Sequence, residues 1–144
     1  MRTALAAVLI AVAGVTAGHA AENAVPNVVG VWSGPWRTVI FGHNPHHPGS
    51  ETTADAPRIR DITFTMEFEG QDGRLVWGHS WSDPEKREPF AASISWDGKR
   101  ITGADTDGTF DLDIVGENAI EACYVNTALA AQAIVATCGH IERE

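Results

Sequence analysis

The segment Ile62-Thr63-Phe64-Thr65-Met66-Glu67-Phe68-Glu69 decides the fold of this chain. Its apolar residues stand at every second position, and threonine or glutamate fills the positions between them. Successive side chains of a β-strand point to opposite faces, so this alternation predicts a strand with one face in a core and the other in water. The period of two argues against a helix and sets the expectation of an all-β protein.

The same alternation continues toward the C-terminus, with short turns between the segments. Three further strands are predicted to bury one face each: Leu75-Trp77-His79-Trp81, Phe90-Ala92-Ile94-Trp96 and Phe110-Leu112-Ile114. Residues typical of turns separate the segments at 71–73, 83–86, 97–98, 107–108 and 116–118. Eight strands about ten residues apart indicate an antiparallel barrel or, alternatively, a β-sandwich. Short sequential connections favour an eight-stranded up-and-down barrel, because closure removes exposed edge strands.

Two short motifs resemble those of a known group of barrels. Gly30-Val31-Trp32 at the start of the first strand resembles the Gly-x-Trp opening of the calycins, the lipocalins and avidins. The segment Asp72-Gly73-Arg74-Leu75, followed by Gly78 and Trp81, is similar to an avidin second hairpin. The resemblance implies an eight-stranded barrel with a ligand cavity at one end. It does not imply biotin binding, because avidin's biotin-contacting residues do not map onto this chain and the loop over 42–57 departs from the pattern.

The first 20 residues have the three-part order of a secretory signal peptide. Arg2 supplies a positive charge, Ala4–Ala13 form a short apolar run, and Gly18 and Ala20 are the small residues of a cleavage site. The apolar run is shorter than the roughly 20 residues that a membrane span needs, although an N-terminal anchor is the alternative. We therefore expect a signal peptide over 1–20, an extended lead-in over 21–27, a single barrel domain over 28–144, and a periplasmic or secreted protein.

The charge of the chain excludes two classes of partner. The net charge at pH 7 is −9, and removal of residues 1–20, which contain one basic and no acidic residue, changes it to −10. A chain this acidic repels nucleic acid and anionic membranes. No later segment is apolar enough for a membrane span of about 20 residues. The partner is therefore expected to be a small apolar or aromatic molecule, or another protein.

Cys123 and Cys138 are the two cysteines, and in an oxidising compartment they are most simply joined as a disulfide. If they face each other across an antiparallel hairpin, every directly paired couple has residue numbers that add to 261. This register predicts three further pairs, namely Val125 with Ala136, Tyr124 with Thr137, and Glu121 with His140. Glu121 and His140 are expected to form a surface ion pair, and Tyr124 to face away from the disulfide.

Aromatic residues provide the candidate ligand site. Trp77, His79 and Trp81 share one face of a predicted strand, and a histidine between two indoles can stack on or hydrogen-bond a ligand inside a barrel. The alternative is a core or rim aromatic cluster with a satisfied histidine. The predicted ligand-binding residues are Trp32, Trp77, His79, Trp81 and Trp96.

Two groups of residues are candidate metal ligands. His43, His46 and His47 stand in the Pro- and Gly-rich loop over 42–57, where imidazoles can hold Zn²⁺, Cu²⁺ or Ni²⁺. The alternative is a solvated loop. The acidic series Asp105, Asp107, Asp111 and Asp113 contains the oxygen ligands that Ca²⁺ prefers, but its spacing is not that of an EF-hand, and we interpret it as a solvated acidic face.

The chain lacks the sequence motifs of common catalytic sites, among them the nucleophile elbow, the phosphate loop and the zinc-protease signature. The leading hypothesis is a non-enzymatic, exported barrel that binds a small apolar or aromatic ligand or a protein, with no organic cofactor. One alternative is a periplasmic metal-binding protein that uses the histidine loop. Another is a hydrolase or isomerase in the barrel cavity, for which a buried carboxylate facing His79 would be the sign.

Overall fold

The computed structural model describes residues 24–42, 56–126 and 133–144. In these ranges eight antiparallel strands close into one barrel in sequence order, with the last strand hydrogen-bonded to the first. The prediction of an all-β, eight-stranded up-and-down barrel is confirmed, and the β-sandwich is not formed. The strands are β1 (Gly30–Gly42), β2 (Arg58–Asp72), β3 (Leu75–Trp81), β4 (Glu88–Ile94), β5 (Arg100–Ala104), β6 (Gly108–Gly116), β7 (Ala119–Asn126) and β8 (Ala133–Arg143).

In the described part of the chain, no helix has the length and apolar character needed to cross a membrane.

One end of the barrel, called here the closed end, is covered by residues 24–29. Val28 is 1% exposed there, and its carbonyl accepts a hydrogen bond of 2.9 Å from the Trp32 indole N–H. The Gln71 amide holds the same segment, donating to the Pro26 carbonyl at 2.9 Å and accepting the Val28 N–H at 3.1 Å. The Arg143 guanidinium lies 4.4 Å from the centre of the Trp32 ring. Part of the predicted lead-in is therefore packed against the barrel.

Large side chains fill the middle of the barrel. Met66 and Phe68 of β2 are at most 1% exposed, and Ile62 and Phe64 on the same face are half-buried, which confirms the predicted inner face of this strand. Aromatic rings from several strands meet in this core, as shown by the ring-centre distances for Trp36–Phe64 (4.2 Å), Phe68–Phe90 (5.1 Å), Phe90–Phe110 (6.1 Å) and Phe110–Tyr124 (4.8 Å).

The predicted inner face of β3 is wrong. The inward positions are Val76, Gly78 and Ser80, whereas Leu75, Trp77 and His79 belong to the outer wall, and Trp81, at the end of the strand, lines the rim of an internal cavity. Gly78 pairs with Phe68 on one side and with Phe90 on the other, and the absence of a side chain lets those two rings touch across it. A Cβ at Gly78 would also overlap the Glu67 carbonyl. Position 78 must therefore be a glycine on the inner face, and the alternate positions Leu75, Trp77 and His79 are left outside.

Trp96 is a second correction. Phe90 and Ile94 of β4 are buried as predicted, but the strand ends at Ile94, and Trp96 lies in the following turn with 79% of its surface exposed. The Arg74 guanidinium lies 4.8 Å from the centre of the Trp96 ring. The chain reverses here because Gly98 adopts a φ of +72°, a conformation that glycine accepts without strain.

The register of the last hairpin is confirmed in full. Cys123 lies opposite Cys138 and forms a disulfide with it, and the Val125–Ala136, Tyr124–Thr137 and Glu121–His140 pairs are those predicted. The expected ion pair is wrong, because the His140 imidazole lies 3.6 Å from the carboxylate of Glu142 instead. Both of these side chains are on the outer wall, two positions apart on β8, so Glu142 competes with Glu121 for the same imidazole.

Candidate functional site

A cavity of about 60 Å³ lies inside the barrel at the end opposite residues 24–29, called here the open end. The 82–87 and 105–107 connections lie at this end because β3 and β5 end there. The cavity is lined from β1, β2, β3, β4, β7 and β8 and from both connections, by Thr38, Ile62, Phe64, Ser80, Trp81, Ser82, Asp83, Lys86, Glu88, Asp105, Tyr124, Asn126, Val135 and Thr137.

One wall of the cavity is aromatic and aliphatic. Phe64 stacks on the fully buried Trp36 with ring centres 4.2 Å apart, so the ring that faces the cavity has a rigid support. Ile62 and Val135 extend the apolar lining, and Trp81 completes it at the rim. The Arg87 guanidinium lies 3.9 Å from the centre of the Trp81 ring. This arrangement offers a small ligand apolar and π contacts.

Hydroxyl groups form part of the polar lining, together with the buried Asn126 side chain. The Thr38 hydroxyl donates to the Thr137 hydroxyl at 2.8 Å, and the Thr137 hydroxyl donates to the Arg37 carbonyl at 3.2 Å. Ser80 differs from this pair, because no hydrogen bond among the described residues involves its hydroxyl although the residue is only 3% exposed. The Ser80 side chain lines the cavity, so its hydroxyl is a polar group that a ligand there can contact.

Three carboxylates gather at the rim of the cavity. Glu88 begins β4, and Asp105 and Asp107 belong to the β5–β6 turn; one oxygen of each lies within 4.8 Å of the others, and all three residues are half-buried. The turn is built by Oδ1 of Asp105, which accepts the N–H groups of Asp107 at 3.1 Å and Gly108 at 2.7 Å. This is the local bond through which aspartate favours turns.

Tyr124 joins this rim to the aromatic core. Its hydroxyl oxygen lies 2.7 Å from Oδ1 of Asp107 and 3.3 Å from Oδ1 of Asp105. Gly108 makes this possible, because a Cβ there would overlap the tyrosine ring. Burial raises the pKa of Tyr124, and the hydrogen bond to Asp107 raises it further, so the phenol is a neutral donor. Burial also raises the pKa of Asp105, against the effect of its main-chain hydrogen bonds.

The structure separates the predicted ligand-binding residues. Trp81 lines the cavity, whereas Trp32 is 1% exposed beneath residues 24–29 at the closed end. Trp77 and His79 are on the outer wall of β3, and Trp96 is in the 95–99 turn. The five residues do not line one shared site, and a ligand-binding role for each of them stays a prediction.

His79 does not face a buried carboxylate, which is the feature expected if the barrel is an enzyme. Its Nδ1 lies 2.8 Å from Oε1 of Glu69, but the two side chains are 37% and 42% exposed on the outer wall. Solvent screens an exposed pair of this kind. The carboxylate is therefore neither buried nor in a cleft.

The metal predictions divide into three parts. His43, His46 and His47 lie outside the described residues. Asp111 and Asp113 are exposed on the outer wall, where Asp113 lies 3.0 Å from the guanidinium of Arg100, so the prediction of a solvated face is confirmed for them. It is wrong for Asp105 and Asp107, which are half-buried at the rim together with Glu88.

Sequence reasoning missed Glu88, Ser80 and Tyr124 as residues of the site. The register of the last hairpin already implies that Tyr124 faces inward, because it stands between the outward-facing Cys123 and Val125. It is also the only tyrosine of the chain. The meeting of Glu88 with the 105–107 turn has no comparable signal, because it depends on how β4 and β5 are staggered in the closed barrel.

Comparisons with known proteins return little. No family model matches the chain, and no curated protein matches it. A similar solved structure is the S-type phycobiliprotein lyase CPES from Guillardia theta, with 8% sequence identity and a TM-score of 0.37. The match covers 81% of this chain and 88% of the lyase chain.

Proposed function

We propose that this protein is an exported, non-enzymatic barrel that binds a small apolar or aromatic molecule in the cavity at its open end. The observation that carries the proposal is the cavity itself. It is lined by the Phe64 ring, which stacks on Trp36, by Trp81 at the rim and by the Ser80 hydroxyl. Ligand sites have this composition in general, with mostly apolar walls and few polar groups. Residues 24–29 cover the opposite end of the barrel, and the cavity lies at the end of the 82–87 and 105–107 connections.

The size of the cavity limits the enclosed part of the ligand. An apolar cavity of 150 Å³ holds benzene, whereas this one measures about 60 Å³. The enclosed part is therefore a short alkyl group or the edge of a ring, and the rest of the ligand lies at the rim. Filling such a void restores packing contacts that its lining has lost, which favours binding.

Export is supported by the cysteine chemistry together with the N-terminal sequence. The Cys123–Cys138 disulfide is formed, and disulfides persist in oxidising compartments. The three-part order of residues 1–20 is that of a signal peptide. We place the mature protein, residues 21–144, in the periplasm or outside the cell as a single domain.

Two measurements test the proposal. Native mass spectrometry of protein from its own host is expected to show a bound small molecule that denaturation releases. NMR titration of the mature protein with 1-butanol is expected to shift resonances of Phe64, Ser80 and Trp81, and Ser80→Leu, which fills the cavity, is expected to abolish the shifts. Leu75→Ala, on the outer wall of the same strand, is the control. Protein that carries no small molecule and does not respond to 1-butanol would disprove the proposal.

A further inference from the structure

Arg60 is a charged residue on the inner face of the barrel. Its two neighbours on β2 are on the outer wall, where Ile59 lines a groove and Asp61 lies 3.8 Å from the guanidinium of Arg37. Successive side chains of a strand point to opposite faces, so Arg60 points to the interior. It is therefore on the same face of β2 as Ile62, which lines the cavity.

The position of Arg60 is the mouth of the cavity. β2 runs from the open end to the closed end, so Arg60 is closer to the open end than Ile62 and Phe64. The rise of a strand puts its Cα about 7 Å from that of Ile62 and about 13 Å from that of Phe64. Its Cα partner on β1 is Thr38, a buried residue of the cavity lining. Arg60 is half-buried, as expected when the apolar stem of an arginine lies along a wall and its guanidinium stays near water.

The charge of Arg60 has no partner in the part of the chain that the structure describes. No hydrogen bond, ion pair or ring contact joins its guanidinium to a described residue. Other charged groups at this end do have partners. Arg58 and Lys86 each interact with another residue, and the Glu88 carboxylate accepts a hydrogen bond of 3.2 Å from the Thr106 hydroxyl. The five N–H donors of Arg60 are therefore available to a ligand at the mouth of the cavity.

We propose that the ligand is a carboxylate on a short alkyl chain, with its head at Arg60 and its chain along Ile62 toward Phe64. This inference rests on the proposed function, because it names the chemical class of the molecule in the same cavity. The planar guanidinium can donate two parallel hydrogen bonds to the two oxygens of a carboxylate. The apolar wall beyond Arg60 receives the alkyl chain, whose end fills the small cavity.

The acidic residues at the open end limit the charge of the head group. Glu88, Asp105 and Asp107 stand at the rim, and one oxygen of each lies within 4.8 Å of the others. These carboxylates repel any anion that approaches Arg60, and the repulsion grows with the charge of the anion. A carboxylate carries one negative charge, whereas a phosphate monoester carries about 1.5 to 2 at pH 7. A carboxylate is therefore the head group that meets less repulsion.

The experiment compares hexanoate with 1-hexanol by NMR titration of the mature protein at pH 7 and constant ionic strength. The two probes differ only in the head group, so their difference in affinity reports the charge of the site. We expect hexanoate to bind about tenfold more tightly, through charge-assisted hydrogen bonds. Hexanoate is also expected to shift the side-chain N–H resonances of Arg60, whereas 1-hexanol is expected to shift resonances of Ile62 and Phe64 alone.

Three variants test whether Arg60 provides this preference. Arg60→Gln is expected to remove the preference for hexanoate and to leave 1-hexanol binding unchanged. Arg60→Lys keeps the charge but lacks the planar fork, so it is expected to retain part of the preference. Arg37→Gln removes one positive charge from the outer wall of the neighbouring strand and is expected to leave the preference unchanged. Thermal unfolding of each variant checks that it is folded.

The other outcomes separate this inference from the proposed function. Hexanoate that binds no more tightly than 1-hexanol to the wild type would disprove the carboxylate site and leave the apolar cavity standing. An equal loss of hexanoate binding in Arg60→Gln and Arg37→Gln would also disprove it, because the effect would then be one of net charge. Binding of neither probe would disprove both proposals. Hexyl phosphate that binds more tightly than hexanoate, and loses this binding in Arg60→Gln, would replace the carboxylate head by a phosphate.

Discussion

The Trp77 indole lies on the outer wall of the barrel against the backbone of Gly70, in the space that a Cβ at residue 70 would occupy. Gly70 follows a break in the β2–β3 register between Phe68 and Gly70. A bulge leaves backbone unpaired and bends the strand. The tryptophan therefore covers an irregular part of the sheet, an arrangement known to stabilise glycine in strands.

This contact predicts a coupled pair of substitutions. Gly70→Ala is expected to lower the free energy of unfolding by about 1–3 kcal/mol, because the new methyl group displaces the indole. Trp77→Ala is expected to cost about 1–2 kcal/mol through lost burial. In the double variant the clash is absent, so the loss should be at least about 1 kcal/mol smaller than the sum of the two. Urea unfolding measures all three variants.

The control for these three variants is Leu75→Ala. Leu75 is 59% exposed on the same strand and the same wall, and its removal is expected to change the stability by less than about 0.5 kcal/mol. Trp77→Ala is also expected to leave 1-butanol binding intact. Strictly additive losses would show that the indole and Gly70 do not depend on each other.

β3 shows why periodicity predicts a strand better than it predicts the buried face. The alternation of Leu75, Trp77, His79 and Trp81 correctly indicates a strand, and hydrophobicity then assigns the wrong side to the core. Which face of β3 is buried depends on residues of the two neighbouring strands, because the rings of Phe68 and Phe90 meet across Gly78. On β2, where no glycine stands between large neighbours, the same reasoning gives the correct face.

The candidate site was predicted only where local chemistry determines the structure. Residues 107–108 are predicted as a turn, and Oδ1 of Asp105 holds that turn. The inward direction of Tyr124 follows from the hairpin register. Glu88 could not be placed beside them, since that contact depends on the order and stagger of strands around the closed barrel.

The disulfide leads to a prediction about stability. It joins residues 15 apart, and closing a loop of this length stabilises the folded protein by about 3 kcal/mol in the chain-entropy model. Cys123→Ala with Cys138→Ala is expected to lose about that amount in urea unfolding. Addition of a reductant should destabilise the wild type and leave the double variant unchanged. Equal stability of the oxidised wild type and the variant would contradict the prediction.

Asp105 predicts how stability depends on pH. Burial raises the pKa of its carboxyl above the usual 3.8, so the folded chain keeps the proton to higher pH than the unfolded chain. The stabilising contribution is therefore fully present in acid and is lost as the pH rises through the folded-state pKa. Asp105→Asn keeps the side-chain oxygen that accepts the turn hydrogen bonds but does not ionise.

The measurement is the stability of Asp105→Asn relative to the wild type. As the pH rises from about 4 to about 7, the free energy of unfolding of the variant is expected to increase relative to that of the wild type. The reason is that only the wild type ionises at the buried position. Urea unfolding across this range gives the trend. Asp61→Asn, at an exposed ion pair, should show no such trend. A constant difference for Asp105→Asn would mean that the pKa of Asp105 is the same in both states.

Thr38 and Thr137 provide the last prediction, at the wall of the cavity. Their hydroxyls lie 2.8 Å apart, and the residues are 3% and 7% exposed. Thr137→Val keeps the shape of the side chain but leaves the Thr38 hydroxyl without its acceptor, at an expected cost of about 1–3 kcal/mol. Replacing both residues by valine removes donor and acceptor together, so the double variant should be more stable than Thr137→Val alone. Urea unfolding of the full cycle measures this.

The same double variant tests the cavity as a ligand site. Two valines make the wall more apolar without changing its volume, so 1-butanol should bind to the double variant at least as tightly as to the wild type. Thr63→Val, on the exposed face of β2, is the control, with an expected change in stability below about 0.5 kcal/mol. A double variant less stable than Thr137→Val would show that the two hydroxyls serve separate partners. Weaker 1-butanol binding would show that the probe uses them directly.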